Sequence, residues 1–333
     1  MGIKAAPEVK YKLIQEAMQQ SEEALRVSKL CFLAGVSRAG YYKWLKAEPR
    51  RMLREKADER DFALIQTAYQ YRGYPKGGRQ IYMWFLHQNP PIVMNLKKIY
   101  RLMQKYGLFC PVRRANPYRQ LAKALRTSYV AQNVIMRNFK AYEPRQALLT
   151  DITYLFFTGG NCYLSTIIDV ATHEVLAYRL SRNLKVEFVI ETVEMLTKKH
   201  SFVLDDGVIV HSDQGCHYTS KAFIEKLKDE KFVQSMSRKG NCWDNAPQES
   251  FFGHMKDEIA TIIKSCKTYE EVEKILKDWI EYYNNERYQW DLLKLSPKEY
   301  YEYRLSGIYP IQDRRKYSKG YKENLGNNDS MEK

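Results

Sequence analysis

Between Phe62 and Tyr142 the sequence contains no aspartate and no glutamate, although 14 lysines and arginines fall in the same stretch. A solvated protein face normally mixes charge of both signs. An acid-free run of this length therefore excludes an ordinary polar coat and argues for a polyanionic partner. The imbalance is regional. Residues 1–145 carry 28 Lys and Arg against 10 Asp and Glu, while residues 146–333 carry 26 against 29. Nucleic acid is the natural polyanion, because neutralised phosphates release counterions and dominate affinity. An anionic membrane fits poorly, since the basic and aromatic residues recur over several elements and not on one amphipathic helix.

Cysteine is also sparse. Six are scattered along the chain (Cys31, Cys110, Cys162, Cys216, Cys242, Cys266) with no C-x-x-C pair, which argues against structural zinc and a disulfide framework. No apolar run approaches the roughly 18 residues of a membrane span. The opening residues MGIKAAPEVKYK lack the apolar core of a secretory signal, so a cytoplasmic location is expected. No internal repeat is evident. At 333 residues, 44% of them hydrophobic, the chain has room for two or three domains with ordinary cores.

The first third reads as helical. Val27 to Ala34 carries an apolar face, Gly35 ends it, and Ser37 is placed to cap a second helix in RAGYYKWLKA. Helix, glycine turn and capped helix form a helix-turn-helix pattern, although an ordinary helical hairpin shares it. A charged helix follows over 50–70. In NLKKIYRLMQKYGL, Asn95 is the expected N-cap and Gly107 the expected stop. Ile99, Leu102 and Met103 take core positions at helical spacing, and Lys97, Lys98, Arg101 and Lys105 are candidates to face phosphates. Arg113, Arg114 and Arg119 lie in a basic connector suited to run along DNA.

From about Gln146 the pattern changes. ALLTDITYLFF, NCYLSTIIDVAT and EVLAYRLS read as three strands of an antiparallel meander. A helix (VEFVIETVEMLTKKH), a short apolar strand (GVIVHSDQG), a helix over 220–231, a strand (FVQSMSR) and a helix from Asn245 to Ala260 follow. Thr268 and Glu271 form a capping box for a further long helix. Three acids stand out. Asp151 lies within the first strand, Asp213 closes the apolar strand, and Glu249 follows an expected Asn245 cap with Ala246 and Pro247 in the first turn. Two strand carboxylates and one helix carboxylate suit a pair of hard divalent cations, Mg²⁺ or Mn²⁺, which can clamp the attacking and leaving oxygens of a phosphodiester.

Other residues near this set are open to two readings. His211 and His217 flank Asp213 and read as loop-orienting residues more readily than as ligands. Asp169 reads as a strand-edge salt bridge. Arg238, Lys239 and Asn241 either grip phosphates or line a solvated loop, and Asp244 and Asn245 either support Glu249 or cap its helix. Asn284, Asn285 and Arg287 suit a phosphate contact and helix-end packing equally.

HSDQG, GNCWDNAPQESFF, the 35 residues between Asp213 and Glu249, and the later YYNNERY and LSP resemble the DDE transposases of bacterial insertion sequences. The likeness is in particular to the second-frame (OrfB) protein of insertion-sequence family three, a relative of retroviral integrases, and runs from about residue 25 to about residue 303. It implies an α+β, ribonuclease H-like integrase core, a mixed five-stranded sheet with flanking helices, preceded by helix-turn-helix-type units. The first two acids would lie on neighbouring central strands and the third on a flanking helix, so that Asp151, Asp213 and Glu249 are both catalytic and metal-binding. The implied reaction is nicking at element ends followed by strand transfer to double-stranded DNA, by a homo-oligomer. The family's enzyme is often a frameshift fusion with an upstream-frame DNA-binding protein, a part this chain lacks. A DDE-type nuclease without joining, and a non-catalytic DNA-binding regulator, are the competing readings.

The expected organisation is a helix-turn-helix-like region over 1–48, a second helical unit over 49–110, a basic linker over 111–145, the catalytic core over 146–303 and a polar tail over 304–333.

Overall fold

The computed structural model describes residues 5–20, 26–110, 130–238 and 242–311. They divide into two compact units, Met1–Gln66 and Thr67–Lys333.

The first unit contains helices α1 (Pro7–Gln20), α2 (Val27–Ala34), α3 (Arg38–Lys46) and most of α4 (Glu48–Gln70). The local chemistry anticipated in the sequence decides the α2–α3 turn. Gly35 takes a left-handed φ of +63° and its N–H returns to the carbonyls of Cys31 and Phe32. Ser37 Oγ then accepts the Gly40 N–H at 3.0 Å and starts α3. The core is small: Ile14, Cys31 and Tyr41, with Tyr11 and Trp44 against them. Helix α4 is continuous over 23 residues.

The second unit opens with a helical pair, α5 (Gly78–Leu86) and α6 (Leu96–Lys105). Asn95 caps α6 through the Lys97 N–H at 2.8 Å, and Ile99, Leu102 and Met103 form its buried face. The pair does not stand apart from the rest of this unit. It is joined to α10 (Tyr269–Asn285), α11 (Pro297–Ser306) and the segment between them. The Tyr71 hydroxyl donates to the Glu286 carboxylate at 2.6 Å, and Arg72 pairs with the same carboxylate. Tyr74 meets Tyr282 at 4.9 Å between ring centroids, and His87 stacks on Tyr288 at 3.5 Å. Lys76 is buried there, donating to the carbonyls of Tyr71 and Tyr74, and burial pushes its pKa down to about 8.

The larger part of this unit is built on a five-stranded sheet of order β3-β2-β1-β4-β5. Its strands are β1 (Ala147–Phe157), β2 (Gly160–Asp169), β3 (Val175–Ser181), β4 (Ile209–Ser212) and β5 (Val233–Met236). The first three form the expected antiparallel meander, and β4 and β5 add in parallel. Helices α7 (Val186–His200) and α8 (Lys221–Asp229) cover one face; α9 (Ala246–Ser265) and α10 cover the other. Strand alternation sorts the side chains: Leu148, Ile167 and Val210 enter the α7–α8 core, while Leu149, Leu164 and Ile168 enter the α9–α10 core. The capping box at Thr268 and Glu271 is present, and a second one, Ser296 with Glu299, starts α11.

Two expectations change. Helix α9 runs on to Ser265, past the expected end at Ala260, because Ile259 and Ile263 continue its buried stripe. Asn245 occupies the N-cap position but its side chain makes no capping bond; a 3-10 turn (Cys242–Asn245) leads into the helix instead. Asn284 and Arg287 turn out to be packing residues. Asn284 exchanges hydrogen bonds with both backbone groups of Val175, and Arg287 forms a buried pair with Glu258 of α9 at 2.9 Å.

Glu258 also accepts the Trp279 Nε1–H at 2.8 Å, so it satisfies two buried donors. Glu258→Ala should lower the unfolding free energy by about 3–5 kcal/mol, because it strands a buried guanidinium. Urea melts followed by tryptophan fluorescence would check this. The double variant Glu258→Gln with Arg287→Met, which keeps an acceptor for Trp279, should recover most of the loss.

Candidate active site

The strand register builds the site. In the parallel pair, Leu149 of β1 stands opposite His211 of β4. Two residues further along β1 comes Asp151, with the same parity as Leu149 and therefore on the face covered by α9, and two residues past His211 comes Asp213, just beyond the end of β4. In the antiparallel pair, Asp151 stands opposite Thr166 of β2. The buried Gln248 on the first turn of α9 donates its Nε2–H to Thr166 Oγ1 at 2.5 Å, which ties the residue before Glu249 to the strand beside Asp151.

Each acid has a distinct setting. Asp151 is half-buried and its Oδ1 accepts the Ile152 N–H at 2.8 Å. Asp213 is half-buried just past the end of β4, and its Oδ1 accepts the Gly215 N–H at 2.9 Å. A Cβ on residue 215 would stand 2.8 Å from that oxygen, so the glycine of HSDQG is what lets the backbone close on the carboxylate. Glu249 is exposed. Among the described residues, no three His, Cys, Asp or Glu side chains stand close enough to share a metal ion. Asp151 and Asp213 each lie two residues beyond the paired Leu149 and His211, and Glu249 follows Gln248, which is bonded to the strand beside Asp151.

The donor set nonetheless fits a hard cation, being all carboxylate oxygen. Beside it, Asn245 Oδ1 and Gln248 Oε1 are buried acceptors without a donor, the kind of group that the water shell of a cation satisfies. Neither histidine joins the acids. His211 is fully buried with Nδ1 2.8 Å from Ser235 Oγ, and burial pushes its pKa down to about 4 against the opposing charge of Asp244. His217 Nε2 lies 3.2 Å from the Leu184 carbonyl. Asp169 is also removed from the cluster, bonded to the backbone N–H and guanidinium of Arg145.

The sequence offered Asp244 as a supporting residue but not its partners, and it gave no sign of Tyr218. The phenol of Tyr218 is fully buried and lies near both strand acids; burial, then the charges of Asp151 and Asp213, push its pKa up. The Asp244 side chain is fully buried. It accepts from Asn133 Nδ2 at 2.9 Å, Arg137 Nε at 2.6 Å, and the backbone N–H, Nε and Nη2 of Arg238 at 3.0, 3.1 and 3.0 Å. Its partners lie more than a hundred residues upstream or on the preceding loop, so only the acidic residue type in GNCWDNAP hinted at it.

Of the remaining DNA-contact candidates, Lys97, Arg101 and Lys105 lie on the exposed side of α6, and Lys98 is half-buried. Arg113, Arg114, Arg119, Lys239 and Asn241 lie outside the described residues.

Comparison with known proteins gives consistent matches. Two models described as "Integrase core domain" match residues 141–242 and 249–305, and one described as "HTH-like domain" matches residues 56–116. An uncharacterized transposase-like protein of Haemophilus influenzae is 36% identical over 211 residues, covering 63% of this chain and 94% of that protein. The insertion element IS600 31 kDa protein of Shigella sonnei is 30% identical over 82% of this chain and 97% of its own length. The putative transposase InsK of IS150 from Escherichia coli is 35% identical over 62% of this chain and 71% of its own. Among solved structures, the HTLV-2 integrase catalytic core domain in complex with magnesium aligns with a TM-score of 0.37 at 14% identity, over 47% of this chain and 97% of that one.

Asp244 supplies a pH test. Arg238 above all, then Arg137, holds its carboxyl far below the ordinary carboxylate range. Its stabilising contribution is therefore complete above the unfolded-state value of about 4 and declines as pH falls below that. Asp244→Asn should lower Tm at pH 7 and flatten the fall in Tm between about pH 4 and 2, which differential scanning calorimetry would record.

Proposed function

We infer, from the fact that this chain belongs to the insertion-sequence transposases with an integrase core, that it breaks and rejoins DNA phosphodiesters at the ends of a mobile element. The observation that supports the assignment of residues is the pairing of Leu149 with His211, two residues before Asp151 and Asp213, together with the bond from Gln248, beside Glu249, to Thr166 opposite Asp151. These three are the catalytic acids and the ligands of Mg²⁺ or Mn²⁺. Two such ions, when bound, would ease deprotonation of the attacking water or 3′-hydroxyl and neutralise charge on the leaving oxygen.

The chain's own groups divide the remaining work. Asp151 and Asp213 are fixed by backbone bonds at the sheet, so they present a rigid pair of oxygens. Glu249, exposed on the first turn of α9, would supply the third carboxylate oxygen of the set. Buried Tyr218 closes the sheet face behind the acids to water. The exposed stripe Lys97, Arg101, Lys105 on α6, together with the acid-free basic run, binds the DNA backbone. Joining two ends calls for more than one copy of the chain on DNA, and an upstream-frame DNA-binding partner fits the same scheme. Among the described residues no helix is long and apolar enough to cross a membrane.

A second reading, a DNA-binding regulator without turnover, draws on the open arrangement of the three acids. Strand transfer on labelled element-end DNA with Mg²⁺ or Mn²⁺ separates them. Joined products are expected from the wild type. Glu249→Gln should reduce them by more than about a hundredfold, beyond the loss typical of disturbing an outer hydrogen-bond partner. Cleavage without joining would point to a nuclease. DNA binding with neither reaction, the upstream-frame partner being supplied, would establish the regulator.

A further inference from the structure

We propose that Arg137 and Arg238, drawn together on the buried carboxylate of Asp244, form a clamp for one DNA backbone phosphate at the edge of the acid site. The proposal rests on DNA being the substrate.

Four features converge on this pair. First, one carboxylate holds two guanidiniums: Asp244 is bonded to Arg137 Nε and to Arg238 Nε and Nη2. Second, the burial is one-sided. The Asp244 side chain has no exposure, whereas Arg137 and Arg238 are 42% and 59% exposed, so the anchor is hidden and the cations face solvent. A guanidinium pinned along one edge is pre-organised, and its planar fork matches the oxygens of a phosphate.

Third, the backbone that delivers Arg137 is sterically costly. Met136 and Arg137 are consecutive non-glycine residues with φ of +47° and +65°. That turn is held by the Met136 N–H donating to Asn133 Oδ1 at 2.8 Å, while Asn133 Nδ2 is itself bound to Asp244. Such strain persists where the surroundings over-determine it, commonly at functional sites. Fourth, the hub adjoins the acids. Asp244 precedes Glu249 by five residues, and it lies against His211, two residues before Asp213. A phosphate gripped here belongs to the same stretch of backbone that the acids would act on.

The test is the salt dependence of DNA affinity, measured by fluorescence anisotropy on the full chain without divalent metal. Wild type, Arg137→Gln and Arg238→Gln are compared with Arg179→Gln, which removes an equally exposed arginine paired with Glu191 elsewhere on the sheet. Each clamp variant should flatten the slope of log affinity against log salt by about 0.9, so its affinity deficit shrinks about 3.5-fold between 50 and 200 mM salt. Arg179→Gln should keep the wild-type slope. Wild-type slopes in both folded clamp variants would overturn the proposal, leaving Asp244 a purely structural hub. If Arg238→Gln does not fold, Arg137→Gln decides alone, since Arg238 still satisfies Asp244 there. Because binding is read without metal, the outcomes separate: unchanged slopes in a chain that cuts and joins DNA remove only the clamp. Flattened slopes in a chain that does neither remove only the catalytic reading.

Discussion

The catalytic half depends on a short parallel pairing, Ala147–Leu149 of β1 against Ile209–His211 of β4. A slip of one residue in either strand would send every side chain to the opposite face. Hydrophobic burial forbids it. Leu148 and Val210 must enter the core under α7 and α8, and Leu149 the core under α9 and α10; each is 0–1% exposed. The acids inherit their positions from these neighbours. Two residues beyond the locked pair, β1 runs on to Asp151 with the parity already fixed, while β4 ends and the chain turns at Asp213. Chemistry is placed by packing that has nothing polar in it.

The third acid is placed differently. Helix α9 is anchored along Phe251, Phe252, Met255, Ile259 and Ile263, all buried, while its first turn is polar. A side-chain cap could have fixed that turn locally, and Asn245 does not provide one. The turn is held by tertiary bonds instead, Gln248 to Thr166 below it and Asp244 to Arg137, Arg238 and Asn133 beside it. This arrangement lets an exposed Glu249 sit on a well-anchored helix yet remain outside a finished cage.

What was legible in the sequence was local. The bounds of β1 matched ALLTDITYLFF, and Gly35, Ser37, Asn95 and the Thr268 box behaved as their side chains dictate, because each acts within a few residues of itself. The acid spacing was legible through resemblance and through strand endings. What could not be read were bonds between distant segments. Asp244 meets Arg137 across 107 residues and Arg72 meets Glu286 across 214, and no periodicity encodes such pairs. Asn245 failed as a cap for the same reason: tertiary contacts at Gln248 and Asp244 already fix the turn, so the capping bond is dispensable.

The stretch YNNERY shows what that long-range bonding achieves. Its Asn284 and Arg287 suited a phosphate contact as well as packing, but the structure uses successive residues as a joint facing two ways. Glu286 accepts Tyr71 and Arg72, which lead into the α5–α6 pair, while Arg287 is buried against Glu258 on α9, the helix that carries Glu249. Asn284 fixes the same point to the start of β3. The α5–α6 pair and the helix of Glu249 are thus connected through a solvent-facing ion pair (Arg72–Glu286), a buried one (Arg287–Glu258) and ring contacts, with Tyr74 tilted on Tyr282 and His87 stacked on Tyr288. The buried pair is the costly one to break, because loss of Glu258 leaves the Arg287 guanidinium buried without its carboxylate. The helical pair is therefore held in a set geometry to the helix of Glu249 by the fold itself.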